Sequence, residues 1–301
     1  MKHKPQRARG AALVIAMLLT ALGAAVAVQM IVPLSGWMER EYRARDTQAS
    51  YTLADAASSW AVTVLAADLR LGPIDHYGEL WATPLPATPV EGGTIEGQIT
   101  DLQSRFNVNN LAPRGVKSLA NITLAKALFT QAGVPVSLVD TLADAIDRDE
   151  LTDDGQSERQ RYGRSLRNAP LLRFADLLDV PGFTDAFIRN LALTMIVLPE
   201  ASPINANTAS RALIATAFPA ANVDAIDKLM LRRSQQPFVA ANDVASLLAQ
   251  PPLDGVFSAN SQYFAVEAVI RFERAAHRVQ LQIARPPAAR PVVISRIISN
   301  A

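Results

Sequence analysis

Ala11–Leu34 reads AALVIAMLLTALGAAVAVQMIVPL, and no charged residue lies between Gly10 and Met38. At about 1.5 Å per residue, such a run is long enough to cross a bilayer as a helix. Before it stand Lys2, Lys4, Arg7 and Arg9, with no acid among them. Basic flanks stay cytoplasmic, so the rest of the chain is expected beyond the inner membrane, periplasmic on a single-pass anchor. Three readings of this segment compete. It is a plain anchor, or a secretory signal cut near Ala25-Val26-Ala27, which has the small-x-small form. Or the chain is cut on the cytoplasmic side, between Gly10 and Ala11, and keeps the whole apolar run.

The third form, Arg9-Gly10 followed directly by a long apolar helix, resembles a type IV prepilin leader. The residues beyond the apolar run favour it over a signal peptide. Glu39–Asp46 is charged and helix-permissive, and no Gly or Pro occurs between Gly36 and Gly72. Leu53, Ala57, Trp60, Val64 and Leu65 fall at helical spacing and should form one apolar face. One helix can therefore run from membrane to globular domain, with Pro33 as a kink.

The whole chain has 301 residues, with 29 Lys+Arg against 28 Asp+Glu, no Cys and three His. A length of this order buries a real core. A net charge of +1 offers no bulk attraction for nucleic acid. The absence of Cys excludes disulfides, thiolate zinc sites and a cysteine nucleophile.

Leu71–Gly93 reads as loop, punctuated by Gly72-Pro73, Pro84, Pro86 and Pro89. Thr94–Thr100 alternates like a strand, and Asp101–Leu111 is expected to continue in that character. From Val116 to about Leu248 the pattern is helical, in short amphipathic stretches: Lys117–Gln131, Val136–Ile146, Phe174–Leu178, Thr184–Leu193, Ala209–Phe218, Val223–Arg232 and Val239–Leu248. The tail returns to period two at Phe264–Phe272 and Val279–Ile283, with a turn near Ala275-Ala276 and a third strand at Val292–Ser299. The simplest topology is an α+β domain with a helical domain inserted between its strands.

Three internal motifs now carry a family resemblance. Asp101-Leu-Gln-Ser-Arg-Phe-Asn-Val-Asn-Asn-Leu111 is similar to D-L-Q-G-R-F-N-L-N-N-L; Asp144-Ala-Ile-Asp147-Arg-Asp149-Glu150, on through Glu158 and Tyr162, to D-W-I-D-x-D-D…G-A-E…Y; and Ile204-Asn-Ala-Asn-Thr-Ala209 to I-N-V-N-T-A. With the late Asn260-Ser-Gln-Tyr263-Phe264, the chain resembles type II secretion system protein K, a minor pseudopilin. It departs from the pattern at Ala145, where the family has Trp, at Arg159 and Gln160, where acids are usual, and at Gly155, one place early.

The resemblance implies a leader at 1–10, a transmembrane helix at 11–36, a pseudopilin α/β domain at 37–114 and 260–301, and an all-helical, SAM or helix-hairpin-helix-like insert at 115–259. It implies cleavage by prepilin peptidase after Gly10 and N-methylation of Ala11. It also implies a place at the tip of the periplasmic pseudopilus that helps export folded proteins across the outer membrane. The partners would be I-, J- and H-type minor pseudopilins and the major pseudopilin. The fifth residue after the cut is Ile15, where ordinary pilins carry a carboxylate that pairs with a neighbour's terminal amine. An unpaired charge in hydrocarbon is costly, so a subunit without that carboxylate suits the filament's end; Ile15 also reads simply as one more anchor residue.

Asp144, Asp147, Asp149, Glu150, Asp153, Asp154 and Glu158 crowd one Gly-containing stretch. Hard oxygen donors in a loop suit Ca²⁺, though the spacing is not an EF-hand. A solvated acidic loop is the other reading, and Arg159 and Arg161 would oppose a cation. The resemblance implies calcium in the helical domain, with Asp147, Asp149, Glu150 and Glu158 as its ligands.

Phe174–Phe183 looks like a helix-hairpin-helix turn, with a degenerate copy at Val239–Gly255. Such turns present amides to DNA phosphates, but Arg173 and Arg189 are offset by Asp176, Asp179 and Asp185, so no nucleic acid is expected. A DNA-uptake or type IV minor pilin stays as the alternative. His3, His76 and His277 lack the partners of a triad and no P-loop or dinucleotide fingerprint appears, so a non-enzymatic assembly component is expected.

Overall fold

The structure is a computed structural model and describes residues 8–91, 93–272 and 276–301. Helix α1, Ala8–Leu71, is unbroken over 64 residues and passes through Pro33. Its apolar part, Ala11–Met30, is long and apolar enough to cross a membrane, and none of it is buried in protein. Thr20 keeps its hydroxyl satisfied there, donating to the Ala16 carbonyl at 3.1 Å.

The second half of α1 lies on a sheet. Ala54, Ala57, Ala61 and Leu65 are buried, following the helical repeat along one stripe. Alanines there let the helix approach closely. Trp60, expected on this face, lies at its border and is 37% exposed.

The expected loop at Leu71–Gly93 holds more than loop. A 3-10 turn at Leu80–Ala82 buries Trp81, and β1 follows at Leu85–Val90. Prolines 84, 86 and 89 hid this strand, but an edge strand tolerates the donors they lack. Then comes β2, Gly93–Asp101, antiparallel to β1.

At Asp101 the chain leaves the sheet. The predicted continuation as strand through Leu111 is wrong: Leu102–Ser104 and Val108–Leu111 are 3-10 turns around the two-residue β3, Phe106–Asn107. Asp101 and Asn107 each accept from a backbone N–H two residues on, at 2.8 and 3.2 Å, and such turns compete with extended pairing.

The insert then runs through α2 (Leu119–Gln131), α3 (Ser137–Ile146), α4 (Glu158–Tyr162), α5 (Asp185–Leu191), β4 (Met195–Ile196), β5 (Ile204–Asn205), α6 (Arg211–Ala217), α7 (Val223–Gln235), α8 (Asp243–Leu247) and β6 (Phe257–Ser258). It is not wholly helical: β3 pairs with β4 and β5 with β6, both parallel. The helical stretch expected at Phe174–Leu178 is a 3-10 helix, Phe174–Asp179.

The chain rejoins the sheet in β7 (Tyr263–Phe272), followed by β8 (Ala276–Ala284) and β9 (Val292–Asn300). The turn expected near Ala275-Ala276 falls at the limit of the described residues, and β8 begins at Ala276. Sheet order is β1-β2-β7-β8-β9, antiparallel throughout. Strands β2 and β7 are direct neighbours, with Gly93 opposite Phe272 and Asp101 opposite Phe264. The insert thus leaves and returns at one end of the sheet. The two parts have their own cores: one joins Phe106, Leu128, Phe129, Leu142, Leu177 and Phe257, the other Ala61, Leu65, Trp81, Phe264, Ile270 and Leu281.

Candidate functional site

The N-terminal segment is the first candidate. Gly10 and Ala11 both lie inside α1, and Ile15 is exposed among Leu13, Val14, Met17 and Leu18. An apolar side chain in that setting suits lipid or a neighbouring apolar helix.

A second candidate is the buried polar junction where the insert meets the sheet. Arg285, just past β8, is 3% exposed. Its Nη1 donates to Asp68 Oδ2 of α1 at 2.7 Å, and its Nη2 to Asp75 Oδ1 and to the Ser261 carbonyl. The Phe264 ring lies under the guanidinium, 4.6 Å away. Ser261 N–H donates to Asp75 Oδ2 at 2.7 Å, and its hydroxyl to Asp101 Oδ2 at 2.6 Å. Asp101 Oδ2 also accepts from Thr208 Oγ1 at 2.5 Å and Asn205 Nδ2 at 3.0 Å. The first motif, the third motif and the Asn260–Phe264 stretch therefore converge on one carboxylate.

Oxygens of Asp68, Asp75 and Glu79 come within 4.8 Å of one another. Arg285 serves the first two, while Glu79 accepts from His76 N–H at 2.9 Å and Trp81 Nε1 at 2.7 Å. One guanidinium among so many carboxylates leaves negative charge in a poorly solvated place. Burial accordingly pushes Asp101 up to about 6, and burial with Glu79 nearby does the same to Asp68; burial also raises Asp75.

The asparagines of the first motif wire the insert to itself. Asn107 Nδ2 donates to Glu200 O at 2.8 Å, Asn109 Nδ2 to Leu171 O and Leu198 O at 2.9 and 2.8 Å, and Asn110 Nδ2 to Ser202 O at 2.8 Å. These carboxamides carry buried backbone carbonyls that no sheet reaches.

The acidic loop is the third candidate. Asp147 and Glu158 are buried, 2% and 1% exposed, whereas Asp149 and Glu150 are exposed. Asp147 Oδ1 and Glu158 Oε1 are buried without a hydrogen-bond partner. Burial pushes Asp147 up to about 6 and raises Glu158, with Asp149 and Asp144 adding like charge to both. Glu150 contributes its carbonyl, which accepts from Glu158 N–H at 3.0 Å. Asp149 Oδ1 accepts from Leu151 N–H at 2.9 Å.

Lys117, missed in the sequence, enters this loop. Its ammonium contacts Asp144 Oδ1, Asp153 Oδ1 at 2.7 Å and Asp147 Oδ2 at 3.3 Å. Tyr162 OH donates to the other oxygen of Asp144 at 2.6 Å. Arg161 pairs with Asp154 at 3.3 Å instead of facing the buried pair. The orphaned buried oxygens of Asp147 and Glu158 are of the hard kind that calcium takes, whereas Asp149 and Glu150 are exposed and are not gathered with them into one cluster.

Each of the two hairpin-like stretches is preceded or opened by a carboxylate that caps backbone amides. Leu172 and Arg173 N–H both donate to Asp176 Oδ2 at 3.1 Å; Val239 and Ala240 N–H donate to Asp243 Oδ2 at 2.8 and 3.0 Å.

Models of the family described as type II secretion system (T2SS), protein K, match residues 104–200 and 204–267, together more than half of the chain. The chain belongs to this family. A protein K of Pseudomonas aeruginosa is 31% identical over 209 residues, 63% of this chain and 62% of that protein, so the match spans under two thirds of that relative. A protein K of Klebsiella pneumoniae is 29% identical over 82% of this chain and 81% of its own. Among solved structures, the GspK-GspI-GspJ complex of enterotoxigenic Escherichia coli contains a similar fold: TM-score 0.67, 22% identity, 87% of this chain and all of that one. The α+β fold is therefore that of the protein K family.

Proposed function

We propose that the chain is a minor pseudopilin of the type II secretion system, seated at the tip of the periplasmic pseudopilus beside the other minor pseudopilins. The observation that carries this is the topology. An apolar helix continues without interruption into an antiparallel sheet, and a bulky insert stands between neighbouring strands β2 and β7. Membership of the protein K family and the fold shared with the GspK-GspI-GspJ complex support it. Partners of I- and J-type follow from that complex, and H-type and major pseudopilins from the filament it would cap. The role is one of assembly and not of catalysis.

In this reading 1–10 is the leader, 11–36 spans the inner membrane, and the sheet domain reaches only to Asp101 before resuming at Tyr263; the insert expected at 115–259 begins earlier, because Phe106–Ala112 pair and pack within it. Prepilin peptidase cuts after Gly10, and Ala11 is the new, methylated N-terminus. Calcium at Asp147, Asp149, Glu150 and Glu158 would neutralise the loop and order it.

Two measurements test the reading. Intact mass of membrane-extracted protein should place the N-terminus at Ala11, and Gly10→Leu should block the cut; a terminus at Met1 or Val28 rejects it. Isolated filaments should contain far less of this chain than of the major pseudopilin. Near-equal amounts would exclude a tip position.

A further inference from the structure

Beyond the four ligands assigned to calcium, and resting on that assignment, one more residue takes a role in the acidic loop. We propose that Lys117 is a built-in cation of this loop, which a divalent ion must displace from the Asp144, Asp147 and Asp153 carboxylates to bind.

Ligand counting leads there. Calcium takes six to eight oxygens. The buried carboxylate oxygens without a partner are Asp147 Oδ1 and Glu158 Oε1, and Asp149 stands close enough to act electrostatically on both side chains. These are too few. The other acids near the pair are Asp144 and Asp153, and the ammonium holds both, together with the second oxygen of Asp147. Any further carboxylate oxygen that the ion draws from Asp144, Asp153 or the second oxygen of Asp147 is one that Lys117 holds.

Like charge adds to the conflict. An ammonium that shares Asp147 with a dication sits a few ångströms from it, a range at which like charges repel strongly in a site partly shielded from water. The Lys117 ammonium stands among three carboxylates, with one-fifth of its side chain exposed. It reaches the loop from the segment before α2, outside the acidic run. Asp153, its most exposed partner with 72% of the side chain accessible, is free to swing with a change of cation.

The device has a consequence for order. With Lys117 in place, Asp144 and Asp153 remain drawn together when metal is scarce, so the loop does not fall open on like-charge repulsion. Calcium then completes the order of a loop that Lys117 holds only at Asp144, Asp147 and Asp153.

Amine labelling of the full-length chain in non-ionic detergent tests this without any mutation. The chain is acetylated with an N-hydroxysuccinimide ester in calcium chloride or in chelator, and each lysine is read by peptide mass spectrometry. Lys117 should be several-fold more reactive at saturating calcium. Lys126, paired with Asp140 at 2.8 Å away from the loop, should be unchanged and serves as the internal reference. Equal protection of Lys117 in both conditions, with calcium bound, overturns the proposal and leaves the calcium reading intact. Titration calorimetry of Lys117→Met gives the second arm. Its calcium affinity should rise by about tenfold or more, since a competing charge is gone, while its melting temperature in chelator falls. Unchanged affinity also overturns the proposal. If neither the native chain nor the variant takes up calcium, both the proposal and the calcium reading fail together.

Discussion

Arg285 is the residue on which the most buried charge depends. Replacing it with Met leaves Asp68 and Asp75 without their guanidinium in a nearly dry place. Breaking a buried pair from one side typically costs about 3–5 kcal/mol, so chemical denaturation of Arg285→Met should show a loss of that order. The raised carboxylates set a pH dependence. Asp68, Asp101 and Asp147 titrate near 6 when folded, against 3.8 for the ordinary side chain, so the folded state binds extra protons between those values. Their contribution is fully present below pH 3.8 and is lost as pH rises through about 6. The urea midpoint should be higher at pH 5 than at pH 7.5, and Asp101→Asn should flatten that difference; a midpoint that rises toward pH 7.5 contradicts it. At this scale the sequence was half legible. Asp101 and Asn205 stood out as motif residues, but Asp68 sits in an alanine-rich helix stripe and Arg285 beside prolines, with no spacing to link residues more than two hundred positions apart. Lys117 looked like one polar residue at a helix start, and only the fold brings it to Asp144.

The elements divide along the same line. Strands β7 and β8 were readable because alternation survives where one face is buried, as at Phe264, Val266, Ala268 and Ile270. Strand β1 was not, since Pro86 and Pro89 erase the pattern an edge position tolerates. The segment after β2 misled for another reason: Asp101 and Asn107 turn the chain through their own side chains, a local choice that hydrophobic period does not report. Asp176, 5% exposed, does similar local work, accepting from Leu172 N–H, Arg173 N–H, Arg173 Nε and Arg167 Nη1. Asp176→Ala should cost roughly 2 kcal/mol by denaturant titration, at the upper end for a lost cap, and should unsettle the Pro181-Gly182 turn. Along α1, Ala61 is fully buried against the sheet. Ala61→Phe should destabilise by about 1–3 kcal/mol through overpacking, while Ala56→Phe, at an exposed position, should not.

At the scale of the whole molecule, the insert is a loop in the topological sense. Asp101 and Phe264 are ladder partners, so residues 104–260 could be exchanged for a short Gly-containing turn with the register of β2 and β7 kept. Such a chain should retain α1 packed on a five-stranded sheet, seen as amide-exchange protection in β2, β7 and β8; loss of that protection would mean the sheet needs the insert. The intact chain, with one large core in the insert, another under the sheet and only a small cluster of Leu102, Ile196, Leu198 and Tyr263 joining them, should melt in more than one step. The same neighbouring strands also decide how the molecule carries load. A pull on the insert enters at Asp101 and leaves at Tyr263, side by side at one mouth of the β2–β7 ladder. Force there opens hydrogen bonds one after another, as a zipper does, where a pull along the strands would strain them all at once. An unzipping ladder is mechanically weak, and the groups that close its mouth are those of the buried junction: Ser261 and Thr208 on Asp101, and Arg285 across to Asp68 of the membrane-borne helix. Thrust transmitted up α1 from the membrane would reach the insert through that clasp.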